Sequence, residues 1–136
     1  MKDTVTIFNE RLDNIMNNLQ TGNYTVCYNI AHDLVSLAWN LELKDEVFIS
    51  EVLEAIFDNL RSTIDNYDIP ADKAKEMREQ MIKLMQPFKD AYKSKNPTLL
   101  YNTLREMRYH TTFHQLNAWQ KYGKINKAKY FLGGRE

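Results

Sequence analysis

Three side chains near the C-terminal end of the chain have the spacing of metal ligands on a helix. Glu106, His110 and His114 follow one another at intervals of four residues, which places them along one flank of a helix. Two histidines four residues apart can bind one metal ion, and a carboxylate one turn earlier can supply a third ligand. Another segment would have to complete the site, with His32 or Asp33 as the candidates. We favour the alternative in which both histidines are boundary residues that bond to a carbonyl or to Glu106.

The same segment contains two arginine–histidine pairs. Arg105 precedes His110 with four residues between them, and Arg108 precedes His114 with five. This spacing, late in a small helical protein, resembles the Arg-x(4–6)-His signature of HEPN-type ribonucleases. The resemblance implies that the arginine stabilises a phosphate and that the histidine assists proton transfer beside the RNA 2′-hydroxyl, in a site completed across a dimer. Ribonuclease activity is therefore an alternative function.

An acidic row follows one face of the third predicted helix. Glu51, Glu54 and Asp58 are spaced as Mg²⁺-binding carboxylates can be, and all-helical nucleoside-triphosphate pyrophosphatases use rows of this kind. Those enzymes place two rows opposite each other, and Glu10 with Asp13 is a poor second row. We therefore interpret the acidic row as a solvent-exposed face that contacts a basic patch on a partner protein.

The C-terminal end of the chain alternates basic and aromatic residues. Lys121, Lys124, Lys127 and Lys129 precede Tyr130. Such a segment can bind single-stranded RNA or DNA, because lysines neutralise phosphates and aromatic rings stack on unpaired bases. It can equally pair with acidic residues of this chain or of another protein. We expect residues 123–136 to form a basic, partly flexible tail.

The charges of the chain are divided by half. Residues 1–68 carry four basic and twelve acidic side chains, a formal charge of −8, whereas residues 69–136 carry fourteen basic and six acidic ones, a charge of +8. Such a division suggests a charged partner or self-complementary packing.

Length and composition predict one soluble domain. A chain of 136 residues with 43% hydrophobic residues can bury a core without a disulfide or a metal ion. The single Cys27 cannot form an internal disulfide, which favours a reducing compartment. No apolar run is long enough for a signal peptide or a membrane span. We therefore expect a cytoplasmic protein that does not bind a membrane.

Apolar residues at helical spacing predict an all-α fold, a single compact bundle of four to five helices whose neighbours are mostly antiparallel. Asp45 is expected to cap the third helix, Pro87 to kink or split the fourth, and Asn96 with Pro97 to start the fifth. The bundle domain covers residues 1–122, and its predicted helices span residues 4–20, 24–43, 46–67, 71–95 and 98–122.

The fifth helix has two apolar stripes. One stripe includes Leu104 and Met107, and the other, nearly opposite, is made by Tyr109, Phe113 and Leu116. A helix that is apolar on two sides is buried from two directions, either at the centre of the bundle or at a subunit interface. The pattern favours a homodimer.

Together these features predict a small, non-catalytic binding or regulatory module that acts through its charge-polarised surface and needs no cofactor. The expected partner is another protein or a second copy of the chain. Nucleic-acid binding through the basic half, with or without ribonuclease activity, is the alternative.

Overall fold

The structure, a computed structural model, describes residues 3–122. Within this range the chain forms five α-helices: α1 (Thr4–Gln20), α2 (Tyr24–Asn40), α3 (Lys44–Asn66), α4 (Ala71–Lys93) and α5 (Pro97–Lys121). The prediction of an all-α bundle is confirmed. None of these helices is both long and apolar enough to cross a membrane. The basic tail predicted at residues 123–136 lies outside the described residues.

The connection between α2 and α3 differs from the prediction. α2 ends at Asn40, three residues earlier than expected, and Glu42 has a left-handed backbone with φ of 56° that cannot continue a helix. Leu43 occupies the cap position of α3 without a side-chain hydrogen bond, so the prediction that Asp45 caps this helix is wrong. Asp45 lies instead in the first turn of α3, where its charge stabilises the helix dipole.

Pro87 and Pro97 both lie in helices. α4 continues through Pro87, so the helix is not split there. Pro87 is exposed, and the carbonyl that loses its backbone partner can therefore bond to water. α5 starts at Asn96 and Pro97 as predicted. Asn96 is its cap, because the side-chain Oδ1 accepts a hydrogen bond of 3.1 Å from the backbone N–H of Leu99, and Pro97 occupies the first turn.

The five helices pack as a closed ring. α2 contacts α1 and α3, α5 contacts α3 and α4, and α4 in turn contacts α1. The α2–α3 pairing is the most extensive. Every helix packs against two others and turns one side to a shared core. α5 is therefore one of the five helices that surround the core. Of the two positions expected for this helix, the centre of the bundle and a subunit interface, the centre is therefore wrong and the interface stays a prediction.

The core is wider on α3 than the sequence pattern indicated. Phe57 is fully buried beside Ile56. It lies off the apolar stripe that the sequence predicts for this helix, which consists of Ile49, Val52, Leu53, Ile56, Leu60, Ile64 and Tyr67. Ser50 and Thr63 are also buried, and their hydroxyls donate to backbone carbonyls one turn earlier at 2.6 and 2.8 Å. A helix that packs against α2 on one side and α5 on the other needs a broader buried surface than a single stripe supplies.

Cys27 is a packing residue between α1 and α2. Its side chain is buried, and its Sγ donates a hydrogen bond to the carbonyl of Ile15 at 3.3 Å. Burial raises the pKa of the thiol to about 12. Cys27 therefore acts as a small buried apolar group.

Two phenylalanines of α3 provide a matched test of the core. Phe57→Ala should lower the free energy of unfolding by about 3–5 kcal/mol, because it removes a fully buried ring and leaves a cavity. Phe48→Ala should cost about 1 kcal/mol, since that ring is half-exposed and lies 5.7 Å from the ring of Tyr101. Urea unfolding followed by circular dichroism measures both. Equal losses for the two variants would contradict the described core.

Candidate functional site

One side of α5 carries large apolar side chains that are half or more exposed within residues 3–122. Tyr109, Phe113, Leu116 and Trp119 are 66, 50, 54 and 61% exposed. We call these four residues the outward face of α5. The second stripe predicted from the sequence contained the first three of them. Trp119 was missed, although it lies three residues after Leu116 and so continues the same side of the helix.

The outward face forms because the opposite side of α5 is used by the ring. Leu104, Met107, Thr111 and Ala118 are buried against the neighbouring helices. A polar residue is tolerated in this contact because the Thr111 hydroxyl bonds to the carbonyls of Met107 and Arg108 at 3.2 and 2.9 Å. The inner side therefore fixes the rotation of α5, and the aromatic side points to solvent.

Rings on the outward face are ordered against one another. The rings of Tyr109 and Phe113 are stacked with 6.4 Å between their centroids and an angle of 17° between their planes. His110 meets the edge of Tyr109 at 5.8 Å. These contacts restrict side-chain rotamers before any partner arrives, which lowers the entropy lost on binding.

A groove between α3 and α5 borders the outward face. It has a volume of about 300 Å³ and is lined by Phe48 and Val52 of α3 and by Tyr101 of α5, with Arg105 and Arg108 beside them. The rings of Phe48 and Tyr101 lie 5.7 Å apart. The two arginines therefore lie next to exposed aromatic groups, a combination that is enriched at protein interfaces.

His114 lies on the other side of α5, against α4. Its Nε2 is 2.9 Å from Oε1 of Gln80, and since that oxygen can only accept, Nε2–H is the donor. Partial burial lowers the pKa of His114, and repulsion from His110 lowers it further. The neutral imidazole is therefore favoured. The same side chain lines a small cavity of about 150 Å³ between α4 and α5, which also contacts Lys73 and Lys121.

The predicted arginine–histidine pairs do not converge within one chain. Arg108 lines the groove toward α3, whereas His114 contacts α4, so the body of α5 separates them. Arg105 donates a hydrogen bond of 3.1 Å to Asn102 on its own helix. His110 instead lies beside His114, with 6.3 Å between the ring centroids.

The predicted metal ligands are not gathered into a site. Among residues 3–122 no group of three or more His, Cys, Asp or Glu side chains is placed to hold a metal ion. Glu106 is exposed on α5. His32, one of the proposed additional ligands, lies on α2 and bonds to Glu54. Asp33, the other, is exposed on the same helix.

Two carboxylates of the acidic row of α3 contact side chains of the same chain. Glu54 Oε2 lies 2.9 Å from Nδ1 of His32, which joins α3 to α2. Asp58 accepts a hydrogen bond of 2.6 Å from the guanidinium of Arg61 one turn later. Glu51 is exposed. Two of the three carboxylates therefore already have a partner in the same chain.

Most of the predicted basic segment lies outside the described residues. Lys121, at the end of α5, is exposed. Lys124, Lys127, Lys129 and Tyr130 belong to the part of the chain that the structure does not describe. Binding of single-stranded RNA or DNA through this segment stays a prediction from the sequence.

Comparisons with protein-family models, with curated proteins and with solved structures gave no match for this chain.

The depressed pKa of His114 predicts a pH dependence of stability. The unfolded state takes up the proton near the ordinary pKa of 6.5, and the folded state does so only at lower pH. Neutral His114 therefore stabilises the folded state above about pH 6.5, and this stabilisation is lost as the pH falls. His114→Gln should reduce the loss of stability between about pH 7.5 and 5.5. Urea unfolding at both pH values measures it, and comparison with the variant removes the effect of titrating carboxylates. An unchanged pH dependence would contradict the assignment.

Proposed function

We propose that this chain is a non-catalytic protein-interaction module that binds a protein through the outward face of α5. The observation that carries the proposal is the exposure of Tyr109, Phe113, Leu116 and Trp119 on one side of one helix. Single apolar residues scattered over a surface need no explanation, but four large ones side by side on one helix are typical of a binding site.

The residue types of the outward face and the stacking of its rings support the proposal of a protein-binding surface. Tyrosine, tryptophan and arginine are the residues that contribute most to binding energy at interfaces, and Arg105 and Arg108 border the outward face. Two of its rings, Tyr109 and Phe113, are already stacked. A rigid helix that presents ordered rings loses little entropy when it docks.

The acidic row contributes less than its sequence suggests. Glu54 and Asp58 bond to His32 and Arg61, and a partner would have to replace those contacts to use their charge. Glu51 remains the exposed member of the row. We therefore expect the acidic side chains of α3 to lie at the edge of the interface, around an apolar centre.

Site-specific photocross-linking in living cells tests the proposal. A benzoylphenylalanine residue at position 116 should give discrete protein adducts, because Leu116 lies within the outward face. The matched control places the same residue at Lys83, which is exposed on α4. Mass spectrometry identifies the adducts. No adduct at position 116, or the same adducts in equal yield at position 83, would count against an interface on α5.

A further inference from the structure

We infer that the groove between α3 and α5 binds an acidic peptide segment of the partner protein. An apolar side chain of this segment enters the groove, and its carboxylates bind the guanidinium groups of Arg105 and Arg108, which line the groove. The inference rests on the proposed function and states the chemistry of the partner. Two features of the groove, its charge and its apolar lining, point to this occupant.

Both charged side chains that line the groove are positive. They are Arg105 and Arg108 of α5, and both are exposed. The other side chains of the lining carry no charge: Phe48, Val52, Tyr101, Asn102 and Leu104. On α3 the same side of the helix continues with Ala55 and Asn59, which are uncharged too. The groove therefore attracts a negatively charged partner.

Neither guanidinium is paired with a carboxylate within residues 3–122. Arg105 donates a hydrogen bond of 3.1 Å to the amide oxygen of Asn102, and the guanidinium of Arg108 makes no hydrogen bond or ion pair in this range. Elsewhere in the described chain, several basic side chains do pair with carboxylates: Arg61, Lys73, Lys75 and Lys89. The two arginines of the groove are therefore available to a carboxylate from outside the chain.

The two arginines lie one turn apart on the same side of α5. Like charges three residues apart on a helix repel each other and destabilise it slightly. A carboxylate bound between them offsets this repulsion, and each guanidinium can bond to both oxygens of a carboxylate at once. The pair of arginines therefore favours acidic side chains more strongly than a single positive charge does.

The apolar lining defines the other part of the occupant. The groove has a volume of about 300 Å³, at the lower end of the range of about 300–1,000 Å³ that is typical of ligand pockets. The side chains of Phe48 and Tyr101 are 47 and 48% exposed, and their ring centroids lie 5.7 Å apart. A large apolar side chain of the partner can bury both rings, which favours a peptide over a small anion.

Single-stranded nucleic acid fits the groove less well than an acidic peptide. Phosphates repeat along a strand and need a row of basic side chains, whereas two arginines line this groove. Val52 and Leu104 in the lining also provide no aromatic ring on which a base can stack. We therefore include single-stranded RNA as a competitor in the test.

Peptide display on phage tests the chemistry of the occupant. Random dodecapeptides are selected on the full-length chain and, in parallel, on Arg108→Glu. Peptides enriched on the unsubstituted chain should carry Asp or Glu residues next to a Leu, Ile, Phe or Trp residue, and this signature should be lost on Arg108→Glu. Enrichment of basic or uncharged peptides, or no enrichment, would overturn the inference.

Substitutions then test whether an enriched acidic peptide lies in the groove. Arg105→Ala, Arg108→Ala and Phe48→Ala should each raise its Kd at least about tenfold in fluorescence anisotropy, because each removes a contact at the centre of the site. Arg11→Ala, which changes an exposed arginine of α1, is the matched control and should alter the Kd less than about twofold. Circular dichroism shows whether each variant is folded. Equal losses for Arg11→Ala and Arg108→Ala would indicate unspecific attraction and rule out the groove.

A charge exchange gives the sharpest result. Arg108→Glu should abolish binding of the acidic peptide, and replacing the Glu of the peptide that meets this position by Lys should restore binding to the variant. An RNA dodecamer should not displace the peptide at physiological ionic strength. Displacement by RNA that requires Arg108 would assign the groove to nucleic acid and overturn the acidic peptide.

The outcomes separate this inference from the proposed function. If no acidic peptide is enriched, and photoadducts at position 116 persist when Arg105 and Arg108 are both replaced by Ala, the groove assignment fails and the interaction module stands. The absence of both photoadducts at position 116 and enriched peptides would overturn the two together.

Discussion

The packing of α5 between α3 and α4 is the constraint on which the surface of this protein depends. Leu104, Met107 and Ala118 must face the core to close the ring, and a rigid helix can turn only one side inward. The helix nevertheless carries a second apolar side, which the same chain does not cover within its described residues. Stability and surface chemistry are therefore coupled, because the residues that complete the core also determine which rings face solvent.

Much of the fold was predictable because each helix has an apolar stripe and short polar breaks separate the stripes. The exceptions arise where neighbours or backbone geometry decide. Phe57 is buried because α3 has two neighbours, a fact that periodicity within one helix does not contain. Asp45 was wrongly predicted as the cap because the left-handed backbone of Glu42 makes the connection between α2 and α3 short. α3 therefore begins at Lys44, and Leu43 occupies the cap position.

The candidate site was predictable only in part. Periodicity along α5 revealed its second stripe, since Tyr109 and Phe113 are one turn apart. The contact of His32 with Glu54 was not predictable, because it joins residues on two helices whose relative rotation depends on the whole core. The ring also interleaves the two oppositely charged halves of the chain: α1 contacts α4, and Lys89 of α4 pairs with Asp13 of α1. Charge that is separated along the sequence is thus partly mixed in space.

The burial of Cys27 changes what the single cysteine says about the surroundings of the protein. A thiolate is the species that oxidants and disulfides attack, and a thiol with a pKa of about 12 that bonds to the Ile15 carbonyl is scarcely ionised at neutral pH. The side chain is also shielded from solvent. The presence of this one buried thiol therefore does not distinguish an oxidising compartment from a reducing one.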